Sequence, residues 1–252
     1  MLAVAGATNA DYPWDTFDSE WYLHHNYLSM HPDDRVVITR VADFFGSRVN
    51  GRRLRGVDVG AGTNLYPAMA MLPLTSSITF WEYSAANVRW LQHGVRPSTE
   101  LRLWEQYWDV LSGASPVYRT MRRPRARLFE QSIVTHGNIF DLPEAEWDVG
   151  TMFFVAESIT AVPAEFERAL LSFIRSLKPD APFAAAFIRN SPGYTVGDQQ
   201  FPAVAITEHE VRAVLRTIVE DLSIEPIACG EAFRDGWDGM VLATGVRGRR
   251  RF

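Results

Sequence analysis

The chain has 252 residues, 47% of them hydrophobic, and a formal net charge of −5 at pH 7. That length and apolar fraction suffice for one large α/β domain with a full core. The negative charge argues against nucleic-acid binding through phosphate neutralisation, and no run of the chain approaches the roughly 20 apolar residues of a membrane span.

Cysteine, histidine and the first residues exclude further classes of protein. The single cysteine, Cys229, cannot build a disulfide framework or a cysteine-based zinc site, and the six histidines lack metal-binding spacing. We therefore expect no metal. The first residues carry no basic stretch ahead of an apolar run, as a secretory signal would, so a cytoplasmic protein is expected. The sequence leaves the oligomeric state open, with a monomer slightly favoured.

Two helices are predicted before the first strand. Met1–Pro13 has no clear period, which predicts a flexible lead-in. Asp18–Met30 is a predicted helix with Asp18 as its N-cap, and Pro32 begins a second helix. Because both helices precede the sheet, we expect residues 1–50 to form a helical lid.

Strands and helices alternate from Leu54 onward. The predicted strands lie at 57–59, Ile78–Trp81, Ile133–Gly137, Trp147–Phe154, Pro182–Ile188, Ile224–Ile227 and Met240–Thr244. The predicted helices span Leu65–Leu72, Ala85–Gln92, Leu101–Leu111, Tyr118–Gln131, Ala164–Leu177 and Val211–Val219. This alternation predicts an α/β fold, a Rossmann-like seven-stranded, mostly parallel sheet with helices on both faces. Residues 1–252 are expected to form one domain, with 51–252 as its core and a helical insertion near 97–131.

The run Val57–Gly62, Val-Asp-Val-Gly-Ala-Gly, ends the first predicted strand in a glycine turn. Gly60 and Gly62 can adopt positive φ and let a ligand approach the backbone closely. Glu82 ends the next strand about 20 residues later, where open α/β sheets place an acid that binds ribose hydroxyls. The dinucleotide fingerprint Gly-x-Gly-x-x-Gly is incomplete because Leu65 stands at its third glycine, which disfavours NAD but leaves it open.

The motif Asp58-x-Gly60-x-Gly62 resembles the first motif of class I S-adenosylmethionine (SAM)-dependent methyltransferases. Other features are similar to one family of these enzymes, the nicotinamide, phenylethanolamine and thioether or indolethylamine methyltransferases. They are Phe17-x-x-x-x-Tyr22-Leu23-x-x-x-Tyr27, Asn64 and Tyr66, Glu82-Tyr83-Ser84-x-x-Asn87, Glu157 with Phe166–Leu170, Tyr194-x-x-Gly197 with Phe201, and Asp238-Gly239. The likeness extends from near Phe17 to Thr244.

The resemblance implies a SAM site. Gly60 and Gly62 would let the backbone approach the methionyl part, and Glu82 would accept hydrogen bonds from the ribose diol. The cofactor-binding residues that the resemblance implies are Tyr22, Tyr27, Asp58, Gly60, Gly62, Asn64, Tyr66, Glu82, Tyr83, Asn87, Asn138 and Ile139.

Adenine would lie between Tyr83 and the residues after the third strand. Tyr83 would stack on the base, and Asn138 and Ile139 would flank it, although family members commonly carry Asp where this chain has Asn138. The lid tyrosines, Tyr22 and Tyr27 with Tyr66, would close over the cofactor carboxylate or the substrate, and packing in the core is the alternative for them.

The substrate side departs from the family. Phe187 stands where the nicotinamide enzyme has Asp, and Ser191 stands where the phenylethanolamine enzyme has a second Glu. Glu157 remains as the candidate catalytic base or amine anchor, and the alternative is a strand-end carboxylate paired with a nearby Arg. The implied substrate-binding residues are Tyr22, Glu157, Phe187, Ser191 and Tyr194.

These residues predict SAM-dependent methyl transfer to a small-molecule acceptor, with S-adenosylhomocysteine as the product. Family analogy favours an amine nitrogen on an aromatic or apolar scaffold. O-methyl transfer remains open, as does a SAM-binding enzyme of non-methylating chemistry such as a cyclase. A small molecule is the expected partner, with no nucleic acid and no membrane.

Overall fold

The computed structural model describes residues 6–48, 50–96, 103–228 and 238–249, so Cys229 and the start of the predicted helix at Leu101 lie outside the described residues. The strands are β1 (Leu54–Val59), β2 (Thr75–Glu82), β3 (Ser132–His136), β4 (Val149–Phe153), β5 (Pro182–Ile188), β6 (Tyr194–Val196), β7 (Gln199–Phe201), β8 (Val219–Ile227) and β9 (Met240–Arg247). Seven of them form one sheet in the order β3-β2-β1-β4-β5-β9-β8. The first five pair in parallel, and β9 runs antiparallel to β5 and β8. The predicted fold class is confirmed.

Helices cover both faces of the sheet. They are α1 (Ser19–Tyr27), α2 (Pro32–Gly46), α3 (Tyr66–Met71), α4 (Ala85–Gly94), α5 (Leu103–Ala114), α6 (Pro116–Arg119), α7 (Pro124–Gln131), α8 (Pro163–Ser176) and α9 (Glu208–Leu215). One apolar cluster contains residues of α1 to α5, and a second, on the other face, contains residues of α8 and α9.

Strand β5 shows how the sequence fills both clusters. Its side chains alternate between the faces, as they must in a strand. Ala184 and Ala186 belong to the first cluster, whereas Phe183 and Phe187 belong to the second. The alanines leave space on the face that packs against α1 to α5, whereas the phenylalanines fill the face that packs against α8 and α9.

Helix α2 is part of the core. Val37, Ile38, Val41 and Phe45 are at most 1% exposed and pack in the first cluster. The residues that cover the sheet's carboxyl edge instead precede α2, so the N-terminal 50 residues divide into a covering segment and a core helix.

The predicted flexible lead-in is wrong for residues 7–13. The segment forms two short 3-10 turns, Asn9–Asp11 and Trp14–Thr16, and both Asn9 and Trp14 are buried. Long-range hydrogen bonds hold it, among them one from the backbone N–H of Ala161 to the Ala7 carbonyl at 3.1 Å. These turns depend on hydrogen bonds to distant residues, so the local sequence carries no periodic pattern that would predict them.

The predicted helix Tyr118–Gln131 is divided. Pro124 cannot donate a helical hydrogen bond and disfavours a helical residue before it. Arg123 accordingly takes φ +53°, and α7 begins at Pro124. A hairpin of β6 and β7, which the predicted strands do not include, follows β5.

Candidate functional site

A cavity opens where β1, β2, β3 and β4 end. Its lining includes ten of the residues predicted from the sequence: Tyr22, Tyr27, Gly60, Gly62, Asn64, Glu82, Tyr83, Asn87, Ile139 and Tyr194. Because these strands are parallel, their carboxyl ends meet at one edge, and the connections that follow them converge there.

The turn after β1 forms one wall. Gly60 and Gly62 have φ of +63° and +52°, a region that favours glycine. A Cβ on Gly60 would lie 2.7 Å from the Val155 side chain. Gly60 therefore packs closely on Val155, and the turn itself lines the cavity.

The buried Glu82 carboxylate lines the cavity. Its Oε2 accepts from the backbone N–H of Gly62 at 2.9 Å, and its Oε1 accepts from the backbone N–H of Ser84 at 2.8 Å. Burial raises the pKa of Glu82, and the hydrogen bonds from Ser84 and Gly62 oppose the rise. The backbone of Tyr83 and the side chain of Asn87 also donate to this carboxylate and oppose the rise.

Two buried polar side chains follow the glycine turn without a partner among the described residues. They are the Asn64 amide, through its Nδ2, and the Thr63 hydroxyl, and Asn64 lines the cavity. Unpaired buried donors are uncommon in native proteins, and they suit a ligand that accepts hydrogen bonds.

Asp58 lies behind the turn and does not line the cavity. It is buried, and its Oδ1 accepts from the Thr151 hydroxyl at 2.7 Å, while its Oδ2 has no partner among the described residues. Burial raises its pKa to about 8, and the nearby charge of Glu82 raises it as well.

Aromatic side chains form the other end of the cavity. Tyr22 lies 6.0 Å from Tyr27 and 6.4 Å from Tyr194, measured between ring centroids. Phe153 and Phe154 complete this wall. Phe154 has φ +61°, a costly conformation for a bulky residue, and such strain concentrates at functional sites.

The N-terminal strap, which we define as residues 7–16, brings in residues that sequence reasoning missed. Asn9 and Trp14 line the cavity. The strap is tied down on two sides: its Ala7 carbonyl accepts from the N–H of Ala161, and Asp15 Oδ1 accepts from the N–H of Ala85 at 2.8 Å. No motif or period in this stretch signals its place in the site.

Two aromatic residues of the lid region pack on the β6–β7 hairpin. The Trp14 ring stacks on Phe201 at 5.0 Å, and Phe17 lies 5.2 Å from the same ring. The hairpin and the strap therefore form one small apolar cluster over the cavity.

The predicted site residues that lie outside the cavity lining are Asp58, Tyr66, Asn138, Glu157, Phe187 and Ser191. The Tyr66 hydroxyl donates to Asp34 Oδ1 at 2.9 Å within the core, and burial raises the pKa of Asp34 to about 7. Phe187 packs on Phe166 in the cluster on the other face of the sheet. Asn138 Oδ1 accepts from the backbone N–H of Phe140 at 3.1 Å.

Glu157 is fully buried next to the cavity. Its Oε1 accepts from the backbone N–H of Ile188 at 2.8 Å and from the Ser158 hydroxyl at 3.2 Å. Its Oε2 has no partner among the described residues, and no ion pair between described residues includes it. Burial raises its pKa to about 7. Ser158, in contrast, lines the cavity.

No protein-family model matches the chain, and no curated protein matches it. Among solved structures, the N-methyltransferase NodS from Bradyrhizobium japonicum WM9, in complex with S-adenosylhomocysteine, is 14% identical, with a TM-score of 0.53 over 92% of this chain and 93% of its own. The [4+2]-cyclase SpnF is 15% identical, with a TM-score of 0.56 over 98% of both chains. The 1,6-didemethyltoxoflavin-N1-methyltransferase of Burkholderia thailandensis is 14% identical, with a TM-score of 0.50 over 85% of this chain and 80% of its own.

The chain has the Rossmann-like fold of class I methyltransferases. At 14–15% identity the likeness establishes the fold alone. It does not establish membership of the nicotinamide and phenylethanolamine family that the motifs resemble. Within the described residues, no helix combines the length and apolarity needed to cross a bilayer.

Proposed function

We propose that the chain binds SAM in this cavity and transfers its methyl group to a small-molecule acceptor. The observation that carries the proposal is the buried Glu82 carboxylate that lines the cavity and accepts from the Gly62 N–H of the glycine turn. A buried acid at the end of the second strand suits a ribose diol. The fold shared with NodS, which was solved with S-adenosylhomocysteine, supports the same ligand.

The residues present fit the parts of SAM. Glu82 would accept from the ribose hydroxyls, and the open turn at Gly62 would admit the methionyl chain. The unpaired Nδ2 of Asn64 is a donor suited to the cofactor carboxylate. Tyr83 and Ile139 line the end of the cavity beside β3 and would enclose adenine.

The sheet order disfavours the dinucleotide alternative. Dinucleotide-binding sheets run 3-2-1-4-5-6, whereas β9 here enters between β5 and β8 and runs antiparallel to both. The missing third glycine, with Leu65 in its place, points the same way.

The aromatic end of the cavity is proposed as the acceptor site. When bound, SAM supplies an activated methyl group on its sulfonium. The chain's own task is to orient the acceptor and exclude water. Tyr22, Phe154 and Tyr194 would hold a flat or apolar scaffold. Glu82 is the one carboxylate among the described lining residues, so we favour an aromatic or apolar amine whose nitrogen is unprotonated at neutral pH.

For Glu157 we propose a positioning role in place of a general base. Its carboxylate is 0% exposed and joins the Ile188 N–H to Ser158. This arrangement fixes the loop after β4 against the end of β5. A base would have to reach the reacting atom.

We further propose a single domain over residues 1–252, in which the strap and α1 form the lid over a core with a helical insertion. Trp14, Phe17, Tyr22 and Tyr27 all line the cavity from this side. Closure by such a segment aligns reactants and sequesters them from water.

Calorimetry with S-adenosylhomocysteine tests the cofactor site. We expect one site per chain, and Glu82→Gln should weaken binding by about 1–3 kcal/mol because a charged acceptor is lost. Glu130→Gln, at an exposed glutamate of α7, is the matched control and should leave the affinity unchanged. Absence of binding to the unmutated chain, or tight binding of NADH, would overturn the proposal.

The reaction itself is tested with methyl-labelled SAM and a set of aromatic amines and phenols. Label in an amine product supports N-methyl transfer, and label in a phenol indicates O-methyl transfer. Conversion of an acceptor while SAM is not consumed would contradict methyl transfer and favour the cyclase alternative.

A further inference from the structure

The strap carries a polar side chain into the end of the cavity beside β3. Asn9 lines the cavity and is 3% exposed. Its backbone N–H donates to Glu165 Oε2 on α8 at 2.8 Å, and its carbonyl accepts from the Trp14 indole at 2.8 Å. Both backbone polar groups of Asn9 are thus held by hydrogen bonds.

The Asn9 amide contacts the side chain of Asn138. Asn9 Nδ2 donates to Asn138 Oδ1 at 3.5 Å, and the same oxygen accepts from the Phe140 N–H. No donor among the described residues bonds to Asn9 Oδ1. The strap therefore brings a side-chain amide with an unbonded acceptor oxygen to the wall that Tyr83 and Ile139 share.

An amide oxygen matches one feature of adenine, its exocyclic amino group, which is a hydrogen-bond donor. Asn138, which the sequence predicted beside the base, does not line the cavity. Its side chain instead supports Asn9.

We propose that Asn9, a residue of the strap, recognises the amino group of the cofactor's adenine and thereby couples strap closure to the correct base. This inference rests on the proposed SAM site. The strap joins the loop before α8, through Ala7 and Ala161, to the start of α4, through Asp15 and Ala85. Binding that satisfies Asn9 should hold both anchors in place.

The test compares S-adenosylhomocysteine with its 6-deamino analogue, in which hydrogen replaces the amino group, by calorimetry. The unmutated chain should bind the parent compound about 10-fold more tightly, the scale of one lost hydrogen bond in a buried site. Asn9→Ala should bind the two compounds within about 3-fold of each other. Asp15→Ala is the control, because it loosens an anchor without touching the base, and should weaken both compounds equally.

A second measurement uses the unmutated chain alone. Amide hydrogen exchange at Ala161 and Ala85 should slow more with S-adenosylhomocysteine than with the analogue at equal saturation. If the parent compound binds but Asn9→Ala keeps the full preference, or both ligands protect the two amides equally, the role of Asn9 is refuted and the SAM site stands. If the parent compound does not bind the unmutated chain, the proposed function fails first.

Discussion

Glu157→Gln separates a structural carboxylate from a catalytic one. In the native chain Glu157 Oε1 accepts from the Ile188 N–H, and Oε2 has no partner among the described residues. A glutamine of the same shape can keep the first bond through its own oxygen. It also removes a charge that is buried without a counter-ion in the described part of the chain.

The size of the effect follows from the pKa of Glu157, which burial raises from 4.5 to about 7. The folded state holds the Glu157 proton more tightly than the unfolded state does, so the protonated carboxyl contributes to the free energy of unfolding. This contribution is fully present below pH 4.5 and is lost as the pH rises through 7. At 1.36 kcal/mol per pKa unit, the loss is about 3 kcal/mol by pH 8. Glutamine does not ionise and loses none of it.

Urea unfolding at pH 4.5 and pH 8 measures this difference. Glu157→Gln should match the unmutated chain at pH 4.5 and exceed its free energy of unfolding by about 3 kcal/mol at pH 8. Burial also raises the pKa values of Asp34 and Asp58, but both chains retain these acids, so their effects cancel. Equal pH dependence in the two chains would refute the reasoning. Once an acceptor is known, a loss of 10²-fold or more in kcat/KM would instead restore the general base.

Three further changes test other parts of the site. Gly60→Ala should destabilise the chain by about 1–3 kcal/mol and abolish cofactor binding, because of φ +63° and the 2.7 Å approach to Val155. Gly113→Ala is the control on helix α5, where an added Cβ meets nothing within 4 Å, and it should stabilise the chain by about 0.5–1 kcal/mol. Urea unfolding measures the stability of the two variants and calorimetry measures their cofactor binding. Equal effects of the two substitutions would contradict the role of the Gly60 turn. Phe154→Gly should be more stable than Phe154→Ala by about 1 kcal/mol in urea unfolding, since only glycine relieves the strained backbone, and the reverse order would refute the strain. Deleting residues 1–17, which leaves the α1 cap Asp18, should preserve the circular dichroism spectrum but weaken S-adenosylhomocysteine binding about 10-fold or more, and unchanged affinity would contradict the lid.

The sheet and the cofactor loop follow from local sequence. Apolar strands, the glycines at 60 and 62, and Ser84, whose side chain caps the start of α4, act over a few positions. The Glu82 position also follows from chain order, because consecutive parallel strands end at the same edge. For this reason the predicted Glu82 and glycine turn meet in one cavity.

The strap and the substrate wall could not be predicted in this way. Asn9 and Trp14 reach the cavity through bonds to residues more than 60 positions away, Glu165 and Ser84 among them. Phe187 illustrates the opposite case. The sequence placed it near the substrate, but strand alternation turns it to the far cluster.

A crystal structure of the chain with S-adenosylhomocysteine would show whether the cofactor occupies the proposed site. We expect the ribose hydroxyls on the Glu82 carboxylate, adenine beside Tyr83 and Ile139, and the sulfur facing the aromatic wall at Phe154. Ligand bound elsewhere on the chain, or bound in the cavity with Glu82 away from the ribose, would contradict the proposed site.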